Sequence, residues 1–248
     1  MCGLTGIFAF TETGLSSLGN IHAAVSCLNK RGPDGEGVFT DRFTGLGHRR
    51  LAVIDTSSAA SQPMPDPTGR YSIVFNGEFF NFREHRETLS RKGVQFRTGS
   101  DTEVLLHLYI TEKEKCLEKI NGFFAFAIYD REEGSVFLAR DRYGVKPLLI
   151  CADEHKLVFA SEMKSLLAWG IEKKLDQDSL LTYLHLNYIP APHSIFRNVK
   201  KLLPGTYLTV TREAQKNCTD TSTWLDKAVR WYSIPPALPP DKTPSYDE

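Results

Sequence analysis

FFAFAIYD (123–130), SVFLARD (135–141) and KLVFAS (156–161) are apolar on consecutive rather than alternate residues. A strand with one wet face alternates in polarity, so such runs belong to strands covered on both faces. Sheets sandwiched between other layers are implied. Outward from these runs, GLTGIFAF (3–10) reads as a buried strand at the very start of the chain, and residues 45–54 and 71–76 read as two more. The last of these, YSIVFN, runs into Asn76-Gly77, a turn signal that predicts its end. Leu18, Ile21, Ala24, Val25 and Leu28 stand at helical spacing and predict a helix over 15–29. Further helices are expected near 82–92, 102–112, 162–169 and 177–187, before a hairpin-like stretch ending in GTYLTV (205–210). Adjacent strands are linked closely enough to pair antiparallel, which favours α+β layers over a doubly wound sheet.

The 248 residues carry 30 Lys plus Arg against 30 Asp plus Glu, so no net field draws the chain to nucleic acid or to an anionic membrane. No apolar run approaches a membrane span, and no basic segment leads into a long apolar one at the N-terminus. A cytoplasmic protein is expected. The five cysteines, Cys2, Cys27, Cys116, Cys151 and Cys218, are odd in number, widely spaced and without a CxxC pair. They form neither a disulfide framework nor a metal site, and four of them read as ordinary thiols in or near a core. Beyond Thr211 the sequence turns polar, and five of the thirteen prolines fall in the last fourteen residues. The expected division is a domain over 2–211 and a polar, Pro-rich tail or linker over 212–248, with little apolar surface to bury.

Cys2 differs from the other cysteines by its place. Removal of Met1 would leave a cysteine with a free α-amine. The reference pKa values are about 8.5 for the thiol and about 7.7–8.0 for the amine, so near neutrality each is close to the form the other needs. One residue then supplies nucleophile and base; by position alone, an inert thiol is the competing reading. Acyl transfer also needs donors where charge develops on the attacked carbonyl. Asn76-Gly77 offers an amide side chain and a glycine N–H that a substrate can approach closely, although the pair also reads as a plain turn. Arg50 in HRRLAVID, Glu78 after the Asn-Gly pair and Asp101 in TGSDTE each read singly as a surface ion or a helix cap. Together they supply one cation and two anions, the partners that a free amino acid's carboxylate and ammonium require once removed from water.

The segments MCGLTGIF, RGPDGEG, HRRLAVID, FNGEFFNF, TGSDTEVLL, NGFFAFAIYD, ARDRYGVKPL and FASEMKSLL occur in one order across residues 2 to about 210. In that order and spacing they resemble the N-terminal glutaminase domain of glutamine-dependent asparagine synthetases, a class II glutamine amidotransferase domain. The resemblance implies an Ntn-hydrolase fold, a four-layer αββα sandwich of two antiparallel sheets between helices. It implies that Cys2 is the nucleophile and its own α-amine the base, with Asn76 and Gly77 stabilising the oxyanion. Arg50 takes the α-carboxylate of L-glutamine, Glu78 and Asp101 hold its α-ammonium, and the strand Leu51, Ala52, Val53, Ile54 lines the pocket with backbone groups. Asp34 in the RGPDG loop orders the nucleophile's surroundings or serves only the turn.

Two departures concern pocket shape. Lys30 stands before Arg31 where the family commonly has His, and Asn76-Gly77-Glu78 is followed by two Phe rather than Ile-Tyr. A larger departure is that no Ser-Gly-Gly-x-Asp-Ser phosphate loop occurs. No cofactor is therefore expected in this chain; ATP and magnesium are expected only on a missing or partner synthetase domain, which would accept the ammonia. The alternative function is a non-catalytic glutamine-binding or regulatory module. A hydrolase acting on another amide is disfavoured, because an uncharged substrate would leave Arg50, Glu78 and Asp101 unpaired.

Overall fold

In the computed structural model, which describes residues 1–234, two six-stranded sheets lie face to face. The strands are β1 (Gly3–Ala9), β2 (Gly35–Thr40), β3 (Thr44–Arg50), β4 (Met64–Pro65), β5 (Tyr71–Phe79) and β6 (Gly122–Asp130), followed by β7 (Ser135–Arg140), β8 (Leu149–Ala152), β9 (Lys156–Ala160), β10 (Val199–Lys201), β11 (Thr206–Thr211) and β12 (Val229–Arg230). One sheet has the order β10-β8-β9-β1-β3-β2 and the other β12-β11-β7-β6-β5-β4. Every neighbouring pair is antiparallel. The helices are α1 (Glu12–Ser16), α2 (Ile21–Ser26), α3 (Phe82–Arg91), α4 (Asp101–Glu112) and α5 (Cys116–Lys119), then α6 (Met163–Ala168), α7 (Gln177–Leu186), α8 (Arg212–Gln215) and α9 (Thr221–Leu225).

Three hydrophobic layers explain the consecutive apolar runs. On β6, Ala125 and Ala127 face the space between the sheets, while Phe124, Phe126 and Ile128 face α3, α4 and α5. On β1, Leu4 and Phe8 face inward and Ile7 meets α2 and α6. Each strand thus buries both of its faces, one where the sheets meet and one under the helices. The αββα sandwich expected from the sequence is what forms. No helix among the described residues is long and apolar enough to cross a membrane.

Several local expectations differ. The stretch expected as one helix over 15–29 is α1, a 3-10 turn at Ser17–Asn20 and α2, the break falling around Gly19. Asn76-Gly77 is not a turn: β5 runs on to Phe79, with Asn76 opposite Ala125 and Gly77 opposite Phe124. A Cβ at position 77 would collide with the Phe123 carbonyl and lie within 2.9 Å of Phe124 Cα, so the glycine is there for close strand approach. β3 stops at Arg50, leaving Leu51–Ile54 as a loop. β10 pairs with β8 and β11 with β7, so the stretch ending at GTYLTV splits between the sheets instead of forming a hairpin.

The tail expectation is also corrected over its first part. Residues 212–230 form α8, α9 and β12, and Trp224 and Cys218 are fully buried in the inter-sheet core, with the Trp224 ring stacked on Phe10 at 5.6 Å. A few large apolar side chains anchor a segment whose average composition is polar. Residues 235–248, with the proline cluster, lie outside the described residues.

Candidate active site

Cys2 stands at the head of β1, on the face that continues through Leu4 into the inter-sheet space, so the fold carries it to one end of that space. Its backbone is fixed from both sides. Arg31 Nε donates to the Cys2 carbonyl at 2.8 Å and Arg31 Nη1 to Glu162 at 3.1 Å, while Gly3 pairs with Arg49 on β3. The thiol sulfur accepts from the Leu51 N–H at 3.3 Å. Burial pushes the Cys2 thiol above its ordinary value, opposed by the Leu51 contact and the charge of Arg50. A thiol so placed needs a base to ionise it.

The loop after β3 is held by Asp34. Its N–H donates to the Arg50 carbonyl at 3.0 Å and its carboxylate accepts from the Ala52 N–H at 2.9 Å. Of the two readings left open for Asp34, the structure places it where it orders the Leu51 contact to the sulfur. Arg50 donates to the carbonyls of Asp55 and, at 2.7 Å, Ser57. The Asp55 carboxylate in turn accepts from Gly99 N–H at 2.7 Å, tying the loop to the approach to α4.

Across the cavity, Asn76 is 1% exposed and its Nδ2 has no hydrogen-bond partner among the described residues. An unpaired buried donor is costly, and here it borders the same cavity as the sulfur. Asp101 is not the helix cap: Ser100 caps α4, its Oγ accepting from Thr102 N–H at 3.1 Å, and Asp101 is the first helical residue. Buried to 5% exposure, Asp101 accepts from Phe79 N–H at 3.1 Å. Burial, with Glu78 nearby adding to it, pushes its pKa up to about 6.

A cavity of about 270 Å³ is lined by Cys2, Arg50, Leu51, Val53, Ile54, Asn76, Gly77, Glu78 and Asp101. Of the expected site residues only Ala52 is absent from the lining; its N–H is turned to Asp34. Met1 also lines it, with Asp55 and two residues assigned no role from the sequence, Gln62 and Lys146, among others. Lys146 is 6% exposed, with Nζ 3.2 Å from Met1 Sδ and over the Phe123 ring at 4.4 Å, and burial lowers its pKa. A lysine amid the apolar run that follows YGV was the signal for it in the sequence; Gln62 gave none.

A family model described as a glutamine amidotransferase domain matches residues 1–224. The chain belongs to this family. Among related proteins, asparagine synthetase [glutamine-hydrolyzing] 1 of Bacillus subtilis is 37% identical over 214 residues, covering 85% of this chain and 33% of the relative. Putative asparagine synthetase [glutamine-hydrolyzing] 2 of Methanocaldococcus jannaschii is 37% identical over 223 residues, 82% of this chain and 42% of the relative. This glutamine amidotransferase domain therefore spans well under half the length of these relatives. The solved structure of glutamine phosphoribosylpyrophosphate amidotransferase from B. subtilis complexed with ADP and GMP superposes with a TM-score of 0.64 at 22% identity, over 86% of this chain and 48% of that one. That likeness shows a shared fold, with two antiparallel sheets between helices.

Proposed function

We propose that this glutamine amidotransferase domain hydrolyses the side-chain amide of L-glutamine, with Cys2 as nucleophile. The observation that carries the reading is the convergence of a thiol, an unpaired amide donor, one guanidinium and two carboxylates on one small cavity. At about 270 Å³ the cavity lies below the roughly 300–1,000 Å³ of sites for drug-sized ligands, a size suited to an amino acid. Arg50 takes the α-carboxylate, and Glu78 with Asp101 takes the α-ammonium.

Removal of Met1 frees the Cys2 α-amine and vacates the wall position beside Lys146. The amine takes the thiol proton as sulfur attacks the amide carbon. The oxyanion is met by Asn76 Nδ2 and the Gly77 N–H. The proton passes to the departing nitrogen, ammonia leaves and a γ-glutamyl thioester remains. Water, deprotonated by the same amine, attacks the thioester to give glutamate and restore the thiol. The ammonia goes to an ATP-dependent, asparagine-synthetase-type amidation carried by another domain or chain. Five free cysteines, Cys2 among them, favour a reducing, cytoplasmic setting for this reaction.

Purified protein with Met1 removed is expected to release ammonia and glutamate from glutamine in equal amounts, and Cys2→Ala to release neither. Undiminished release by that variant would overturn the proposal. Glutamine binding without release in the unsubstituted protein would make the chain a binding module.

A further inference from the structure

β4 is two residues long and pairs only with Ser72 and Ile73, so beyond Ile73 that edge of β5 has no strand beside it among the described residues. Side chains take over there, at one residue. The Phe75 N–H donates to Gln62 Oε1 at 2.6 Å, and the Phe75 carbonyl meets His48 Nε2 at 3.0 Å. A carbonyl only accepts, so Nε2 carries the ring proton and Nδ1 is left as a lone pair, which has no partner among the described residues. His48 is fully buried, and burial pulls its pKa down to about 4, keeping the ring neutral. Gln62 uses its other end as well, Nε2 donating to Thr102 Oγ1 at 3.2 Å.

These contacts border the site: Gln62, Phe75 and Thr102 line the cavity, and His48 lies behind it. His48 precedes Arg50 by two residues on β3, Thr102 follows Asp101 on α4, and the Phe75 carbonyl lies in the same rigid peptide plane as the Asn76 N–H. Asn76 Nδ2 has no hydrogen-bond partner of its own among the described residues. We propose that His48 and Gln62 are positioning residues: by holding the carbonyl and the N–H of Phe75 at the open edge of β5, they fix the Asn76 amide where the oxyanion forms and register it against Arg50 and Asp101.

The inference rests on the glutaminase reading. The test is steady-state glutaminase kinetics of the full chain, with kcat expressed per site titrated by a thiol-alkylating glutamine analogue. An oxyanion donor acts in the transition state, so misplacing it lowers kcat and leaves KM for glutamine little changed. His48→Leu and Gln62→Leu are expected to lower kcat per titrated site on the order of tenfold to a hundredfold. His48→Gln is expected to restore it, because its amide nitrogen sits as many bonds from Cα as Nε2 does. His48→Asn, of similar polarity but one bond shorter, is expected to remain impaired, and it serves where a leucine variant does not fold. Wild-type kcat per titrated site in all four, with only stability or titre reduced, overturns the clamp while leaving the glutaminase reading intact. Equal impairment of the Gln and Asn variants overturns it too. If the unsubstituted chain releases no ammonia, both fall.

Discussion

Asp101→Asn should stabilise the protein while impairing glutamine binding, each only where Asp101 is ionised. The folded-state pKa is about 6 against an ordinary 3.8, raised by burial first and by Glu78 second. Between about pH 4 and 6 the folded chain holds a proton that the unfolded chain has released, so stability falls as pH rises through this window. At about 1.4 kcal/mol per pH unit, the ionised side chain costs the folded state up to about 3 kcal/mol above pH 6. Asparagine keeps an acceptor for the Phe79 N–H and removes the charge. With about 2–4 °C of Tm per kcal/mol for a chain of this size, the variant should melt up to about 6–12 °C higher at pH 8 and close to wild type at pH 4. Loss of a hydrogen bond to a charged group, about 1.5–3 kcal/mol, should raise KM for glutamine roughly tenfold to a hundredfold near neutrality. The wild-type KM should itself rise as pH falls below about 6, and the variant's should not. Thermal melts and initial rates from pH 4 to 8 read both effects. A Tm change of the same size at pH 4 and 8, or a variant KM that keeps the wild-type value and pH dependence, would refute the reasoning.

Asn76→Ala should lower kcat by roughly 10²–10³ with KM near wild type and Tm scarcely moved, since Nδ2 has no partner to lose; a large fall in Tm would show that the amide is structural. Trp224→Ala should cost about 3–5 kcal/mol, read as a Tm lower by about 6–20 °C. An unchanged melt would detach residues 212–230 from the domain. Lys146→Met removes a buried cation beside the N-terminal residue, with Arg31, Glu78 and Asp141 its other charged neighbours. The acidic limb of the kcat/KM profile should move to higher pH, and Lys146→Arg should leave it in place; a limb unmoved by Lys146→Met would remove the lysine from any role in tuning the amine.

The layers were legible because β1, β6, β7 and β9 are apolar on both faces, which requires a covering layer on each side, and short links between strands favour antiparallel pairing over a doubly wound sheet. Boundaries were less legible where a residue serves tertiary contact. Asn76-Gly77 has turn chemistry, yet the glycine is required by the approach of β6, which no local pattern reveals. Composition misled at 212–230, where Trp224 outweighs many polar neighbours. At the site, charged residues at element ends stood out, whereas Gln62 and His48 act through a backbone they meet only in three dimensions.

Acid-quench mass spectrometry of the N-terminal peptide, taken during turnover with glutamine, tests the nucleophile most directly. A peptide that begins at Cys2 and carries a γ-glutamyl group on sulfur is the expected result. A peptide that keeps Met1 and gains no adduct while ammonia is being released would contradict it.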